Sequence, residues 1–231
     1  MLAGVSVDYY IKLERGNLAG ASSSVLNGLA RALQLNDIER TYLFTLAGGA
    51  ASVPSLAPQT AISASLQKTI DQMDRTGVYL RNSRMDVVGA NHVAERIFPW
   101  MHRPDGRFEN IARYIFLDST SIDFFPLWNK AAADAVLILR MHSVNNPHDA
   151  QGKSLIEELQ AKSSGFKLLW TANDLDRQQV FSKQFNHPNL GLLDLNFQIL
   201  NLADEPSVAM LLYSAEGNSE SFAKLFQSSQ G

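Results

Sequence analysis

The order of secondary-structure segments after residue 66 most strongly restricts the fold of this chain. Two short strands come first, at residues 78–80 and 85–88, joined by a polar turn at Asn82 and Ser83. Residues 91 to about 170 have mainly helical patterns. Three more strands follow at 179–185, 190–200 and 208–214, with turn residues at 187–189 and 204–206. This order predicts an α+β domain in which helices lie on one side of a five-stranded antiparallel sheet.

Apolar residues at helical spacing locate the helices of this domain. Residues 66–73 form a first helix that Gly77 interrupts, and residues 221–227 form a short amphipathic helix near the end of the sequence. The strongest pattern covers 125–140. One face of this predicted helix carries Phe125, Trp128, Ala132, Ala135, Val136 and Leu139.

The first 48 residues predict three short helices. Ser6 caps a helix that ends near Arg15, and Asn36 with Glu39 makes a capping-box-like start for the third. Ser22 opens the second helix, whose apolar stripe consists of Val25, Leu26, Leu29, Ala30 and Leu33. These helices are too short to bury their stripes alone, so they need partners.

A change of composition separates the two predicted domains. Ala, Ser, Pro and Gly dominate from Gly48 to Ser65, and Pro54 and Pro58 block a regular helix there. We therefore predict an all-α domain at 1–48, a linker at 49–65 and the α+β domain at 66–231.

Composition restricts the environment and the chemistry. The 231 residues include no cysteine, which excludes disulfides and thiol chemistry, and fit a reducing compartment. With a net charge of −3, no global positive field draws the chain to nucleic acid, so any DNA contact must be local. No apolar run is long enough for a membrane helix, and the start lacks the features of a signal peptide. We expect a cytoplasmic protein without a membrane partner.

No residue pattern favours catalysis. The sequence lacks a nucleophile elbow, a phosphate loop, a dinucleotide fingerprint and a zinc-protease motif. His142 and His148 near Asp149 could form a weak metal site, but solvated loop histidines are the favoured interpretation. We expect no enzyme activity, no cofactor and no metal.

Residues 4–16 resemble the recognition helix of Xre-like helix-turn-helix regulators, with Gly4 in the turn, Ser6 at the cap and Gly16 at the end. The resemblance implies duplex DNA as a partner and a homodimer that reads two half-sites. Members of that family usually carry two further helices before the position of Gly4, so we expect this chain to bind DNA weakly. The implied DNA-binding residues are Val7, Asp8 and Lys12 towards the bases, and Ser6, Tyr9 and Arg15 towards phosphates.

Several stretches between residues 66 and 226 resemble the ligand-binding domain of MmyB-like transcription regulators, in the same order. They are 110–118, the series Trp128, Ala132, Val136, Leu139 and Arg140, then 166–170, 183–191 and 213–216. Ala90 and Asn173 depart from the pattern, since the family often has Trp and His there. The resemblance implies a PAS-like fold with an apolar cavity for a fatty-acid-like molecule.

Aromatic side chains are the candidates for lining such a cavity, because ligand sites are mostly apolar with few polar anchors. For any single ring, ordinary core packing remains the alternative. The candidates are Phe116, Phe124, Trp128, Phe166, Trp170, Phe181 and Phe197.

Arg113 is the candidate anchor for a ligand carboxylate, since it lies in an apolar run from 111 to 117, and Tyr114 could add a hydroxyl donor. Pairing of Arg113 with Asp118 or with solvent is the alternative. The sequence thus predicts a DNA-binding regulator that responds to a lipophilic small molecule such as a fatty acid. The alternative is a truncated lipid-binding or dimerisation module that does not bind DNA.

Overall fold

The computed structural model describes residues 11, 21–33, 43–44, 47, 60–101, 110–172, 182–205, 207–217 and 219–226. The chain divides into two compact units, one of residues 1–55 with 140–149 and one of residues 56–139 with 150–231. The helix predicted to start at Ser6 and the start predicted at Asn36 lie outside the described residues, although Ile11, Leu43, Phe44 and Ala47 are helical.

In the first unit, the predicted helix after Ser22 is present as α1, Ser23–Ala32. The Ser22 hydroxyl accepts a hydrogen bond from the Val25 N–H at 3.4 Å, which caps the helix as predicted. Leu26, Leu29 and Ala30 are buried. The prediction that Leu33 extends this stripe is wrong: Leu33 is the C-cap residue and is 51% exposed, because the helix ends one residue earlier.

The second unit contains the predicted five-stranded antiparallel sheet, which confirms the α+β class. Its strands are β1 Thr76–Asn82, β2 Val87–Ala90, β3 Ser182–His187, β4 Gly191–Asn201 and β5 Val208–Ser214. They are arranged in the order β2-β1-β5-β4-β3, and every neighbouring pair is antiparallel. The first strand and the last strand of the sequence therefore lie side by side at the centre of the sheet.

The turn between β1 and β2 lies two residues later than predicted, at 83–86 and not at 81–84. Met85, expected in the second strand, has a φ of 68° and lies in the turn. The Asn82 carboxamide holds this turn, since its Oδ1 accepts from the backbone N–H groups of Arg84 and Asp86 at 2.9 and 3.0 Å. These local bonds replace the strand ladder until Val87, where β2 begins.

Helices cover both faces of the sheet near β1, not one face only. Alternation along β1 sends Tyr79 towards the main helical layer, while Val78 and Leu80 pack with Ile70 in a second apolar cluster. Ile70 belongs to α2, Ala64–Asp71, which Ser63 caps. This helix begins inside the predicted linker, because Ser63 accepts from the N–H of Leu66 and fixes an earlier start.

The helical block between β2 and β3 matches the prediction. It contains α3 His92–Ile97, a 3₁₀ turn at Pro99–Met101, α4 Ile111–Leu117, α5 Thr120–Phe124, α6 Trp128–Asn145, α7 Ala150–Lys162 and α8 Ser164–Thr171. The last helix is α9, Glu220–Phe226. No helix within the described ranges is both long and apolar enough to cross a membrane.

The strongest predicted helix differs from α6 at both ends. Ala132, Ala135, Val136 and Leu139 are buried as predicted. Phe125 lies outside the helix, since it is the extended C-cap residue of α5, and α6 continues past Arg140 to Asn145.

His187 holds the turn between β3 and β4. Its Nδ1 accepts hydrogen bonds from the backbone N–H groups of Asn189 and Leu190 at 3.1 and 3.0 Å. Nδ1 is therefore unprotonated, and Nε2 donates to the Arg96 carbonyl at 3.0 Å. This geometry requires a neutral ring, and burial lowers the pKa of His187 below its ordinary value.

We expect His187 to make the domain less stable in mild acid. Because the folded-state pKa of His187 is lowered, its contribution is complete above the unfolded pKa of about 6.5 and is lost as pH falls below that value. Urea unfolding between pH 7.5 and 5 measures this loss. His187→Asn keeps an acceptor near the position of Nδ1 and cannot titrate, so its stability should fall less over the same interval. Equal pH slopes for the two proteins would contradict the assignment.

Candidate functional site

A cavity of about 70 Å³ lies between the sheet and the helical layer of the second unit. From the sheet, it is lined by Tyr79, Arg81, Lys183, Phe185, Phe197, Ile199, Leu211 and Tyr213. From the helices and turns, it is lined by Met85, Phe98, Trp100, Ile111, Ile115, Phe125, Ala131, Asp134, Ala135 and Ile138. The sheet residues alternate along their strands, since one face of each strand points towards the helices.

Phe98 is the centre of the aromatic packing around this cavity. It follows α3 directly, and its ring centre lies 4.9 Å from Tyr213, 5.1 Å from Phe185 and 5.5 Å from Tyr79. All three contacts are edge-on, the geometry in which a ring edge meets a neighbouring face favourably. Closely packed aromatic rings therefore line the cavity at this end.

Two buried tyrosines supply the neutral polar groups of the sheet. The rings of Tyr79 and Tyr213 stack at 5.7 Å, and their hydroxyl oxygens lie 3.3 Å apart. Burial raises the pKa of both phenols, that of Tyr213 well above its ordinary value. Both hydroxyls are therefore neutral hydrogen-bonding groups at physiological pH.

Three charged side chains also line the cavity, two cationic and one anionic. Arg81 is buried and its Nη1 donates to the Asn82 carbonyl at 3.3 Å. Lys183 is half-buried, and its Nζ lies 4.3 Å from the ring centre of Phe197, a cation–π contact. Asp134 on α6 is the anion. The lining thus carries one more positive than negative group.

The size of the cavity limits what it holds in this conformation. One water needs roughly 10–15 Å³ of such volume, so 70 Å³ holds a few waters. Pockets for small-molecule ligands usually measure about 300–1,000 Å³. A long acyl chain therefore requires the walls to move apart.

Among the predicted ligand-lining rings, Phe197 lies on the cavity and the other described ones do not. Phe124 and Tyr114 form the next layer, since Phe124 contacts Phe98 and Phe185, and Tyr114 stacks on Trp100 at 4.8 Å. Phe181 lies outside the described residues.

Four other predicted rings form a second group of ring contacts within the same hydrophobic core, consisting of Phe116, Trp128, Phe166 and Trp170. Phe166 is fully buried at its centre, with ring distances of 5.0 Å to Phe116 and 5.3 Å to Trp170. The Trp128 Nε1 donates to the Ile115 carbonyl and to the Ser121 hydroxyl at 3.1 and 3.2 Å. The structure places Phe116 and Phe166 in the core and packs Trp128 and Trp170 against it, and none of the four lines the cavity described above.

Arg113, the predicted anchor, is not brought to the cavity. Its side chain is 47% exposed and forms an ion pair with Glu158, with Nη2 and Nε 2.8 and 2.9 Å from Oε2. The predicted partner Asp118 instead accepts hydrogen bonds from Thr120. Arg113 is turned away because its neighbours Ala112 and Tyr114 occupy the buried face of α4.

Sequence reasoning missed most of the cavity lining. Lys183 lies on β3, where Phe185 alternates with polar neighbours, so its inward position could have been read from the pattern. Tyr79 and Tyr213 lie in continuous apolar runs of β1 and β5, which do not indicate the inward face. Trp100 and Phe125 lie in short connections between helices, where no period indicates direction.

Two further predictions concern the DNA-binding residues and the possible metal site at His142. Ser6, Val7, Asp8, Tyr9, Lys12 and Arg15 lie outside the described residues. His142 is buried and its Nε2 lies 3.0 Å from Asp149. No group of three potential metal ligands occurs within the part of the chain that the structure describes.

Comparison with known families identifies the second unit. The family model described as MmyB-like transcription regulator ligand binding domain matches residues 62–228. This family is a class of regulator domain and not a class of enzyme. No curated protein matches the chain at a significant level.

Proposed function

The chain belongs to the family of MmyB-like transcription regulator ligand binding domains, and we propose that it is a DNA-binding regulator whose cavity senses a lipophilic acid. The family supports a ligand-sensing transcription regulator. The fatty-acid-like ligand is what the resemblance to the family implies, and the cavity lining supports it. The action on duplex DNA, as a homodimer, is inferred from the resemblance of residues 4–16 to a recognition helix.

The observation that carries the proposal is an apolar cavity whose charged groups are predominantly cationic. Phe98, Phe185, Phe197 and Ile199 offer a surface for an acyl chain, while Arg81 and Lys183 lie in the same lining. A carboxylate that leaves water needs charged or multiple donors, and these two residues supply them.

The small volume of the cavity suggests how binding is sensed. A ligand that fits only an expanded cavity binds that state better and increases its population. The half-buried lining residues include Lys183, Phe197 and Ile138, and these are the ones that expansion of the cavity would displace. Their displacement is the conformational change that we propose is coupled to DNA binding.

Replacing Lys183 with methionine tests the headgroup. Methionine keeps an apolar stem against Phe197 but removes the charge, so decanoate should bind about tenfold more weakly, the low end of about 1.5–3 kcal/mol for a charged hydrogen bond. Methyl decanoate carries no charge and should lose no affinity. Calorimetric titration of both probes against the full chain measures the difference.

Lys153→Met is the matched control, since Lys153 is exposed on α7 and pairs with Glu157. Equal losses for acid and ester at position 183 would mean that Lys183 acts through folding. If neither probe binds to the wild-type chain, the proposal of a lipophilic ligand is wrong. If decanoate binds but leaves the affinity for duplex DNA unchanged in fluorescence polarisation, the stand-alone binding module is favoured instead.

A further inference from the structure

An unsatisfied hydrogen-bond donor lies in the wall of the cavity. The Nε1 of Trp100 is buried and has no hydrogen-bond partner among the described residues. Native structures rarely leave a buried donor unpaired, because the lost hydration is not recovered. The indole ring itself is firmly placed, stacked on Tyr114 with 17° between the ring planes and packed against Phe98.

The tyrosine pair leaves a second donor in the same lining. Each hydroxyl has one hydrogen, and only one of the two can bridge the 3.3 Å between the oxygens of Tyr79 and Tyr213. The other hydrogen has no acceptor among the residues that the structure describes. Phe98 packs against both residues, since its ring centre lies 5.9 Å from that of Trp100 and 4.9 Å from that of Tyr213.

We infer that the cavity selects ligands with a carbonyl or carboxyl acceptor, and that the Trp100 Nε1 donates a hydrogen bond to that group. This inference rests on the proposed function, because it assumes that the cavity takes a ligand. A hydrocarbon of the same length leaves the indole N–H unpaired, whereas an acyl carbonyl pairs it at little cost in desolvation. Trp100 is then a specificity-determining residue for acyl compounds over alkanes.

Two neutral probes of similar length, methyl decanoate and undecane, separate this role from that of the cations. In the wild-type chain, methyl decanoate should bind more tightly than undecane. Trp100→Phe keeps a ring on Tyr114 and removes the donor, so the ester should bind about three- to tenfold more weakly while undecane is unaffected. Trp128→Phe is the matched control, because the Trp128 Nε1 is already bonded to Ile115 and Ser121.

A spectroscopic readout in the wild-type chain does not depend on how the variant folds. The three tryptophans give three indole N–H signals in a ¹⁵N-correlated NMR spectrum. Methyl decanoate should move the Trp100 proton signal downfield and leave that of Trp128 in place, and undecane should not produce the downfield shift.

The outcomes distinguish this inference from the proposed function. If both probes bind with equal affinity and the Trp100 signal does not move, the donor is satisfied by water and the inference is overturned while the cavity remains a ligand site. If neither the probes nor decanoate bind, the proposed lipophilic ligand fails, and the inference fails with it.

Discussion

Asn91→Ala should destabilise the second unit by about 4 kcal/mol, because a single buried carboxamide ties three elements together. Its Oδ1 accepts from the backbone N–H groups of Val78 and Ala94, both at 2.9 Å. Its Nδ2, which has two hydrogens, lies within hydrogen-bond distance of the carbonyls of Ile70, Met73 and Thr76, at 2.8–3.1 Å, so that the three oxygens share two donors. Asn91 is 1% exposed, so water cannot replace these bonds. Each buried group that loses its partner costs roughly 1–3 kcal/mol.

Urea unfolding followed by circular dichroism measures this loss. Asn91→Asp is the informative companion variant, since it keeps the acceptor towards Val78 and Ala94 but places a second oxygen against three carbonyl oxygens. It should be at least as destabilised as the alanine variant. A loss of only about 1 kcal/mol for Asn91→Ala would mean that Asn91 acts as an ordinary helix cap and does not bridge α2, β1 and α3.

The order and type of the strands could be predicted because β patterns are local. Alternation and turn residues placed β3, β4 and β5 within a few residues of their observed bounds. The position of α2 on the opposite face could not be predicted in the same way. This position depends on both faces of β1 being buried, and the burial appears in the sequence as a continuous apolar run at 78–80. Such a run does not indicate which helix covers each face.

The cavity was harder to predict than the fold for a physical reason. The composition gives the number of aromatic rings in the chain, but the register of the strands and the rotation of the helices decide which rings face the cavity. Phe166 and Phe98 are equally buried phenylalanines, and only the second lines it. Arg113 shows the same limit, since the step of about 100° per residue in a helix places it on the exposed side between two buried neighbours.

Phe98→Ala should cost about 3–5 kcal/mol of stability, the usual range for removing a buried phenylalanine. Phe98 is 2% exposed, and its ring contacts Tyr79, Trp100, Phe124, Phe185 and Tyr213. Because Phe98 lines the existing cavity, the vacated space joins it. Without ligand, the variant should therefore be less stable than the wild-type chain. With decanoate, it should gain more stability than the wild-type chain does, because the enlarged cavity binds decanoate more tightly and binding to the folded state raises the melting temperature.

Phe166→Ala is the matched control for this double effect. Phe166 is also buried, although it has two ring contacts where Phe98 has five, and its space opens beside Phe116 and Trp170 and not in the cavity lining. It should lose a similar 3–5 kcal/mol, while the stabilisation by decanoate stays at the wild-type level. Thermal unfolding of the three proteins with and without decanoate gives both quantities. Equal ligand gains for the two variants would show that decanoate fills any void in this core, and that the cavity around Phe98 has no special role in binding.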